Sequence, residues 1–153
     1  MSKMAVEKKK KPLKTKIMIF GTFDGLHPGH LNLFKQARAL ARNPFLIVSL
    51  ARDKNVFKIK GEYPIHKEKR RLSFLKHNKF IDKAILGKAN YSFSHILQEK
   101  PDIIALGYDQ KYYVSDLKKD LKNKNVAIKV VRLKPYKEKI YKNHLLRKND
   151  KLV

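Results

Sequence analysis

Five short apolar runs, each separated from the next by a helical or polar stretch, set what this chain can fold into. KIMIF (16–20), NPFLIVSLA (43–51), DKAILG (82–87), PDIIALG (101–107) and VAIKVVRL (126–133) read as strands. After the first, a helix over 30–41 places Leu31, Phe34, Ala37, Leu40 and Ala41 on one face. HKEKRRLSFLKHN (66–78), SFSHILQEK (92–100, with a serine cap candidate) and VSDLKKDLKNK (114–124) read as further helices, and a last short one is expected over 142–148. The stretch 52–65 is polar, carries Gly61 and Pro64, and reads as a loop. Strands that alternate with helices imply a parallel sheet covered on both faces, so the expected fold is a single α/β domain with a doubly wound five-stranded parallel sheet. Ligands of such folds lie beyond the carboxyl ends of the strands, at the switch point. The segments that follow those ends are rich in Gly, Lys, His, Asp and Tyr, which suits a phosphate-bearing ligand.

Composition narrows the class. The chain has 153 residues, enough for one domain with a core, and 42% of them are hydrophobic. It holds 37 Lys plus Arg against 13 Asp plus Glu, a net charge of +24 that attracts nucleic acid, acidic surfaces or phosphorylated metabolites alike. Cysteine is absent, which excludes disulfides and thiolate metal sites and fits a reducing cytoplasm. No apolar run approaches the roughly 20 residues that cross a bilayer, so no membrane partner is expected. The opening MSKMAVEKKKKPLKTK is basic with no long apolar segment behind it. Residues 1–15 therefore read as a solvated basic tail and 16–150 as the domain, with monomer and homodimer both open.

The stretch GTFDGLHPGH (21–30) carries the chemistry. Gly21 ends the first strand with no side chain and would let a ligand approach the backbone. Asp24-Gly25 is a turn signal, Pro28 fixes the chain just before the helix, and Gly29 clears space at its start. The helix N-terminus would then offer N–H groups and the positive end of its dipole to an anion, with His27 and His30 flanking the spot as hydrogen-bond donors. Two histidines could also form half of a zinc site, but no further ligand cluster has the spacing zinc requires. His66, His77 and His95 lie in helical patterns and read as surface or boundary residues.

GTFDGLHPGH resembles the H-x-G-H signature of the cytidylyltransferase-like nucleotidyltransferases, a family with a Rossmann-like fold. Further similarities follow in order: ARDKNVFKIKGEYPI to the second-strand loop with its phosphate-binding lysine, here Lys60 or Lys58; KEKRRLSFLKHNKFIDKAILG to the arginine-bearing helix and third strand; KPDIIALGYDQ to the fourth strand and its G-x-D element. The resemblance covers about 16–135. Within the family the chain looks most like the archaeal FAD synthase type, an FMN adenylyltransferase, with the glycerol-3-phosphate cytidylyltransferase type, which uses CTP, as the alternative. It departs from the pattern at IYKNHLLRK (140–148), where Tyr141, Lys142, Asn143 and His144 stand in place of small hydroxyl residues, and in lacking the cysteines of the archaeal type.

The resemblance implies transfer of a nucleoside monophosphate from a nucleoside triphosphate to a phosphate monoester, best matched by ATP and FMN giving FAD, with pyrophosphate released and a divalent ion, magnesium, bridging phosphate oxygens. It implies that His27 and His30 act on α- and β-phosphate oxygens, that Lys60 neutralises the α-phosphate side, and that Thr22 and Phe23 present backbone N–H groups. Gly107 and Asp109 would face the nucleoside. Lys142 and Asn143 would meet the terminal phosphates. Arg71 is a further nucleotide-binding candidate, or a partner for Glu68 at i, i+3. The rival class is a nucleic-acid-binding module on the same fold, suggested by the charge; it calls for aromatic residues interleaved with the basic ones, whereas the tyrosines cluster near the ligand edge and the tail.

Overall fold

A computed structural model describes residues 13–88, 94–110 and 114–136. The basic stretch 1–12 and the 140–148 segment with Lys142 and Asn143 lie outside the described residues, as do 111–113. Five strands, β1 (Thr15–Gly21), β2 (Pro44–Leu50), β3 (Lys83–Leu86), β4 (Ile103–Leu106) and β5 (Lys129–Arg132), form one sheet in the order β3-β2-β1-β4-β5. Every pairing is parallel, as the strand–helix alternation requires. Thr15 is already the first residue of β1, opposite Pro44.

The helices are α1 (Pro28–Arg38), α2 (Asp53–Lys60), α3 (Glu68–Lys76), α4 (Ser94–Glu99) and α5 (Val114–Asn123). Alternation along the strands sends side chains to two separate cores. Ile17, Ile19, Leu46, Val48, Leu50 and Ala105 join Phe34 and Ala37 of α1 and Leu75 of α3. Met18, Ile47, Ile104 and Leu106 join Ile96 of α4 and Leu117 and Leu121 of α5. Strands buried on both faces explain why the sequence shows near-continuous apolar runs rather than a polar-apolar alternation.

β1 pairs with β2 along seven residues, Thr15 to Gly21, but with β4 only through Ile17 and Met18. Beyond Met18 the two central strands separate, and the crevice expected at the switch of winding direction opens there. A side chain holds its walls: Gln110 accepts from the Gly107 N–H at 2.7 Å and donates to the Phe20 carbonyl at 2.8 Å.

Two sequence expectations need correction. The first helix begins at Pro28, not His30, because proline at its first position suits the fixed φ of a helix start. The stretch 52–65 is not all loop, since Asp53–Lys60 forms α2. Asp53 in its first turn and Lys58 and Lys60 in its last complement the helix dipole. Gly61, the residue that argued for a loop, is the left-handed cap that ends the helix, at φ 76°. A Cβ at Gly61 would meet no atom within 4 Å, so a substitution there acts through the backbone alone. Gly61→Ala is expected to lower stability by about 1 kcal/mol in urea unfolding, with Gly61→Asn costing less because asparagine tolerates the left-handed region. Equal stability of all three forms would contradict the cap.

Candidate active site

His27 is the N-cap of α1, in extended conformation, with Pro28, Gly29 and His30 as the first three helical residues. Its Nδ1 accepts the Gly29 N–H at 3.0 Å. His30 Nδ1 in turn accepts from the His27 N–H, a long contact of 3.4 Å. The reciprocal arrangement is a capping box made from two imidazoles. The rings stack with centroids 3.7 Å apart and planes 25° from parallel. The Gly29 N–H is therefore not open to an anion, as the sequence suggested. The imidazoles stand between the helix end and solvent instead. A ring whose Nδ1 accepts a backbone proton carries its own proton on Nε2, so the cap converts inward-facing backbone donors into side-chain donors further from the helix.

Phe23 sets the depth of the pair. Its buried ring meets His30 edge to face at 5.2 Å and Phe34 at 5.5 Å. The Phe23 backbone sits at φ 47°, a conformation that costs a bulky residue about 1–3 kcal/mol. Gly21 is needed for this ring: a Cβ there would stand 2.7 Å from the Phe23 edge. The missing side chain thus admits the Phe23 ring. Burial, the adjacent His27 and the nearby Lys60 ammonium together push the His30 imidazole down to about 3, against an opposing pull from the Gly25 backbone. His30 is accordingly neutral at physiological pH. The charge of Lys60, in the last turn of α2, is thus felt at His30.

Behind the pair lies a polar knot that sequence reading did not anticipate. Arg71, fully buried, donates to the Thr22 and Ala51 carbonyls at 2.8 and 2.9 Å, to the His66 carbonyl at 2.9 Å, and to Asp53 at 2.7 Å. It pairs with Asp53 rather than Glu68, and it ties the segment after β1 to the segment after β2. Asp53 and Glu68 cap each other's helices, each carboxylate accepting the other residue's backbone N–H, at 3.2 and 3.0 Å. Asp24 accepts from the Ile65 and His66 N–H groups at 2.6 and 2.9 Å and contacts His66 Nδ1 at 3.0 Å. Burial raises its pKa, but the hydrogen bonds from His66 and Ile65 outweigh it and leave the carboxyl below its ordinary value. Nothing local in Asp24-Gly25 marked a partner forty-one residues away; Gly25, at φ 87°, was the legible half of that turn.

On the β4 side of the crevice, Gly107 donates to Gln110 and its carbonyl accepts from Arg132 at 2.8 Å. Both of its polar groups serve the fold. Asp109 is exposed at the rim of this segment. The structure thus brings His27, His30 and Lys60 together, sets Thr22 and Phe23 beneath them, and puts Gly107 and Asp109 at the end of β4. His95, across the sheet, contacts Ser49 at 3.1 Å, and His77 caps α3 through the Ser73 carbonyl at 2.7 Å. Among the described residues no group of three or more His, Asp or Glu side chains is arranged to hold a metal ion, and no helix is long and apolar enough to cross a membrane.

A doubly wound sheet with a capped imidazole pair at its switch point is a Rossmann-like α/β domain. Residues 18–148 match the cytidylyltransferase-like family, and the chain belongs to it. The chain is 43% identical over 127 residues to a FAD synthase of Thermococcus sibiricus, covering 82% of this chain and 84% of that one. It is 43% identical over 122 residues to a FAD synthase of Methanothermus fervidus, covering 79% and 83%. Among solved structures it is similar to the lipopolysaccharide core biosynthesis protein from Thermoplasma volcanium, at 35% identity and a TM-score of 0.73, covering 80% of this chain and 98% of that one.

The His30 environment makes stability pH-dependent. An unfolded chain protonates this imidazole near its ordinary 6.5, whereas the folded chain does so only near 3. Between those values acid places a proton on the unfolded state alone, so stability falls as pH drops below 6.5. Asp24 adds its own loss only below its ordinary 3.8. Urea midpoints measured from pH 6.5 down to 3.8 are expected to fall steadily in the wild type and to fall less in His30→Gln. Parallel slopes would show that His30 is not held neutral.

Proposed function

We propose that this chain is an FMN adenylyltransferase, transferring AMP from ATP to FMN to form FAD with release of pyrophosphate. The observation that carries the proposal is the His27–His30 cap beside Lys60, at the end of the first strand of a sheet whose relatives in sequence are FAD synthases. A phosphate oxygen of FMN attacks the α-phosphorus. The new oxygen–phosphorus bond forms as the α–β bridging bond breaks and pyrophosphate departs. The nucleophile is already an anion near neutral pH, so no general base is required. The barrier lies in bringing two anions together and in the charge that gathers on the leaving group. Oriented donors and cations lower it by positioning and electrostatics.

The imidazole pair suits that task. The His27 donor fixed by the cap needs little reorganisation as charge develops, the His30 ring proton, held by the Gly25 backbone, turns from it to meet phosphate, and a neutral His30 does not repel Lys60. We assign His27 and His30 to the α- and β-phosphate oxygens and Lys60 to the α-phosphate side. Backbone N–H groups of Thr22 and Phe23 are assigned to the phosphates as well. Asp109 accepts from the ribose or base, with Gly107 beneath it, while Lys142 and Asn143 meet the terminal phosphates. Arg71 acts one layer behind, holding the Thr22 segment and α2 in register. Magnesium fits this site as an ion carried by triphosphate oxygens and water, since Asp24 and Asp53 are engaged within the fold. The ion would screen the phosphates as the two anions approach. The cysteine-free composition supports a reducing cytoplasm as the compartment.

With ATP and magnesium, FMN is expected to yield FAD and pyrophosphate, while CTP with glycerol 3-phosphate is a poor pair. His27→Ala and His30→Ala are each expected to lower turnover by about 100-fold or more, the usual cost of losing one transition-state donor. Near-normal activity in both variants would remove the histidines from the chemistry. Preference for CTP and glycerol 3-phosphate would reassign the substrates within the family. RNA binding with a steep salt dependence and no pyrophosphate release would refute the enzyme.

A further inference from the structure

Among the described residues, five large hydrophobic side chains are exposed, and four of them fall within 57–65: Phe57, Ile59, Tyr63 and Ile65, at 44%, 37%, 60% and 72%. Phe57 and Tyr63 stack, with centroids 4.7 Å apart and planes 25° from parallel. A helix end and the turn after it rarely leave that much apolar area in water without a use. The aromatic pair is also preset, because Gly61 turns the chain so that Tyr63 folds back onto the helix that carries Phe57.

We infer that the Phe57–Tyr63 stack is the platform for the acceptor's flat ring, the isoalloxazine of FMN, and that Lys60, on the α-phosphate side, also meets the attacking phosphate of the same molecule. This inference rests on the FMN adenylyltransferase reading. Phe57 and Lys60 are three residues apart on α2, hence neighbours on one helix face, about 4.5 Å apart along the axis. A phosphate at Lys60 and a ring at Phe57–Tyr63 are thus separated by a short span, which the ribityl chain bridges. Asp24 ties the backbone at Ile65 and His66 to the turn that precedes the histidine pair, so the platform and the phosphate donors are one rigid assembly.

The sheet order supports the acceptor over the adenine as occupant. β2 and β4 flank β1 on opposite sides. The nucleoside of ATP is assigned to the β4 side, with Gly107 and Asp109, while α2 follows β2. The two substrates then approach the histidines from opposite sides, as an in-line displacement at the α-phosphorus requires. The outer face of the stack is aromatic and flat, matched to a heteroaromatic ring rather than to a small polyol phosphate.

The test compares the wild type with Tyr63→Ser, Phe57→Ser/Tyr63→Ser and Tyr63→Trp. The KM for FMN is expected to rise about tenfold or more in the serine variants, the size of one lost aromatic–heterocycle stack. The KM for ATP should stay within about twofold, and Tyr63→Trp should keep the wild-type KM for FMN. Without ATP, FMN fluorescence should be quenched by the wild type and by Tyr63→Trp, and recover in the double serine variant. An unchanged KM for FMN in the double variant overturns the platform. If light scattering also shows that variant with a smaller mass than the wild type, the patch is instead an interface between copies of the chain. A wild type that makes no FAD refutes the underlying reading; a wild type that makes FAD, with serine variants that keep its KM, refutes the platform alone.

Discussion

One buried guanidinium sets the geometry of the pocket. Arg71 takes up the carbonyls of Thr22, Ala51 and His66 and the carboxylate of Asp53, four acceptors from segments far apart in the chain. The carbonyls of Thr22, Ala51 and His66 would lose this donor if Arg71 were absent, and an unsatisfied buried carbonyl costs about 1–3 kcal/mol. The pull on Thr22 holds the residue before Phe23, whose left-handed backbone directs its ring onto His30. The pull on Asp53 fixes the start of α2, whose far end carries Lys60. A fully buried side chain thereby sets the spacing between the histidine cap and α2.

The second constraint is electrostatic. A helix N-terminus attracts anions through its unsatisfied N–H groups. In this chain the first of them is absent, because Pro28 has none, and the second is taken by His27. The imidazole nitrogens proposed to meet the anion stand outward of the backbone, with His30 against the buried Phe23 ring. Burial that keeps His30 neutral also strengthens any hydrogen bond it gives, since the local dielectric is low. Stability lost on acidification and the donor's readiness near neutral pH therefore have one cause.

The architecture was legible because both sheet faces are buried. Runs such as KIMIF and FLIVSL have no other good use in a chain of this size, and strand–helix alternation leaves few topologies. GTFDGLHPGH was legible as a site because glycine, proline and histidine act locally there. What escaped was non-local or hidden by a residue with two meanings. Gly61 looked like a loop glycine and was a helix cap, which concealed α2. Gly21 read as room for a ligand, and the room it gives the Phe23 ring went unseen. The roles of Asp24, Asp53, Glu68 and Gln110 depend on backbone groups brought close only by the finished sheet, and no spacing in the sequence encodes them. Arg71 drew notice as an arginine in a family-like helix, but its burial came only with the fold.

The account stands on the claim that the α1 cap fixes both imidazoles with Nδ1 as the acceptor, and keeps His30 neutral, before any substrate arrives. Nitrogen NMR of the histidine side chains reads this directly, because protonated and lone-pair ring nitrogens differ widely in chemical shift. At neutral pH and without nucleotide, His27 and His30 are expected to show a proton on Nε2 and a lone pair on Nδ1, with His30 unchanged as the sample is acidified through 6.5. A proton on Nδ1 of either ring, or an imidazolium at His30 near that pH, would contradict the cap and with it the donor geometry on which the proposed transfer depends.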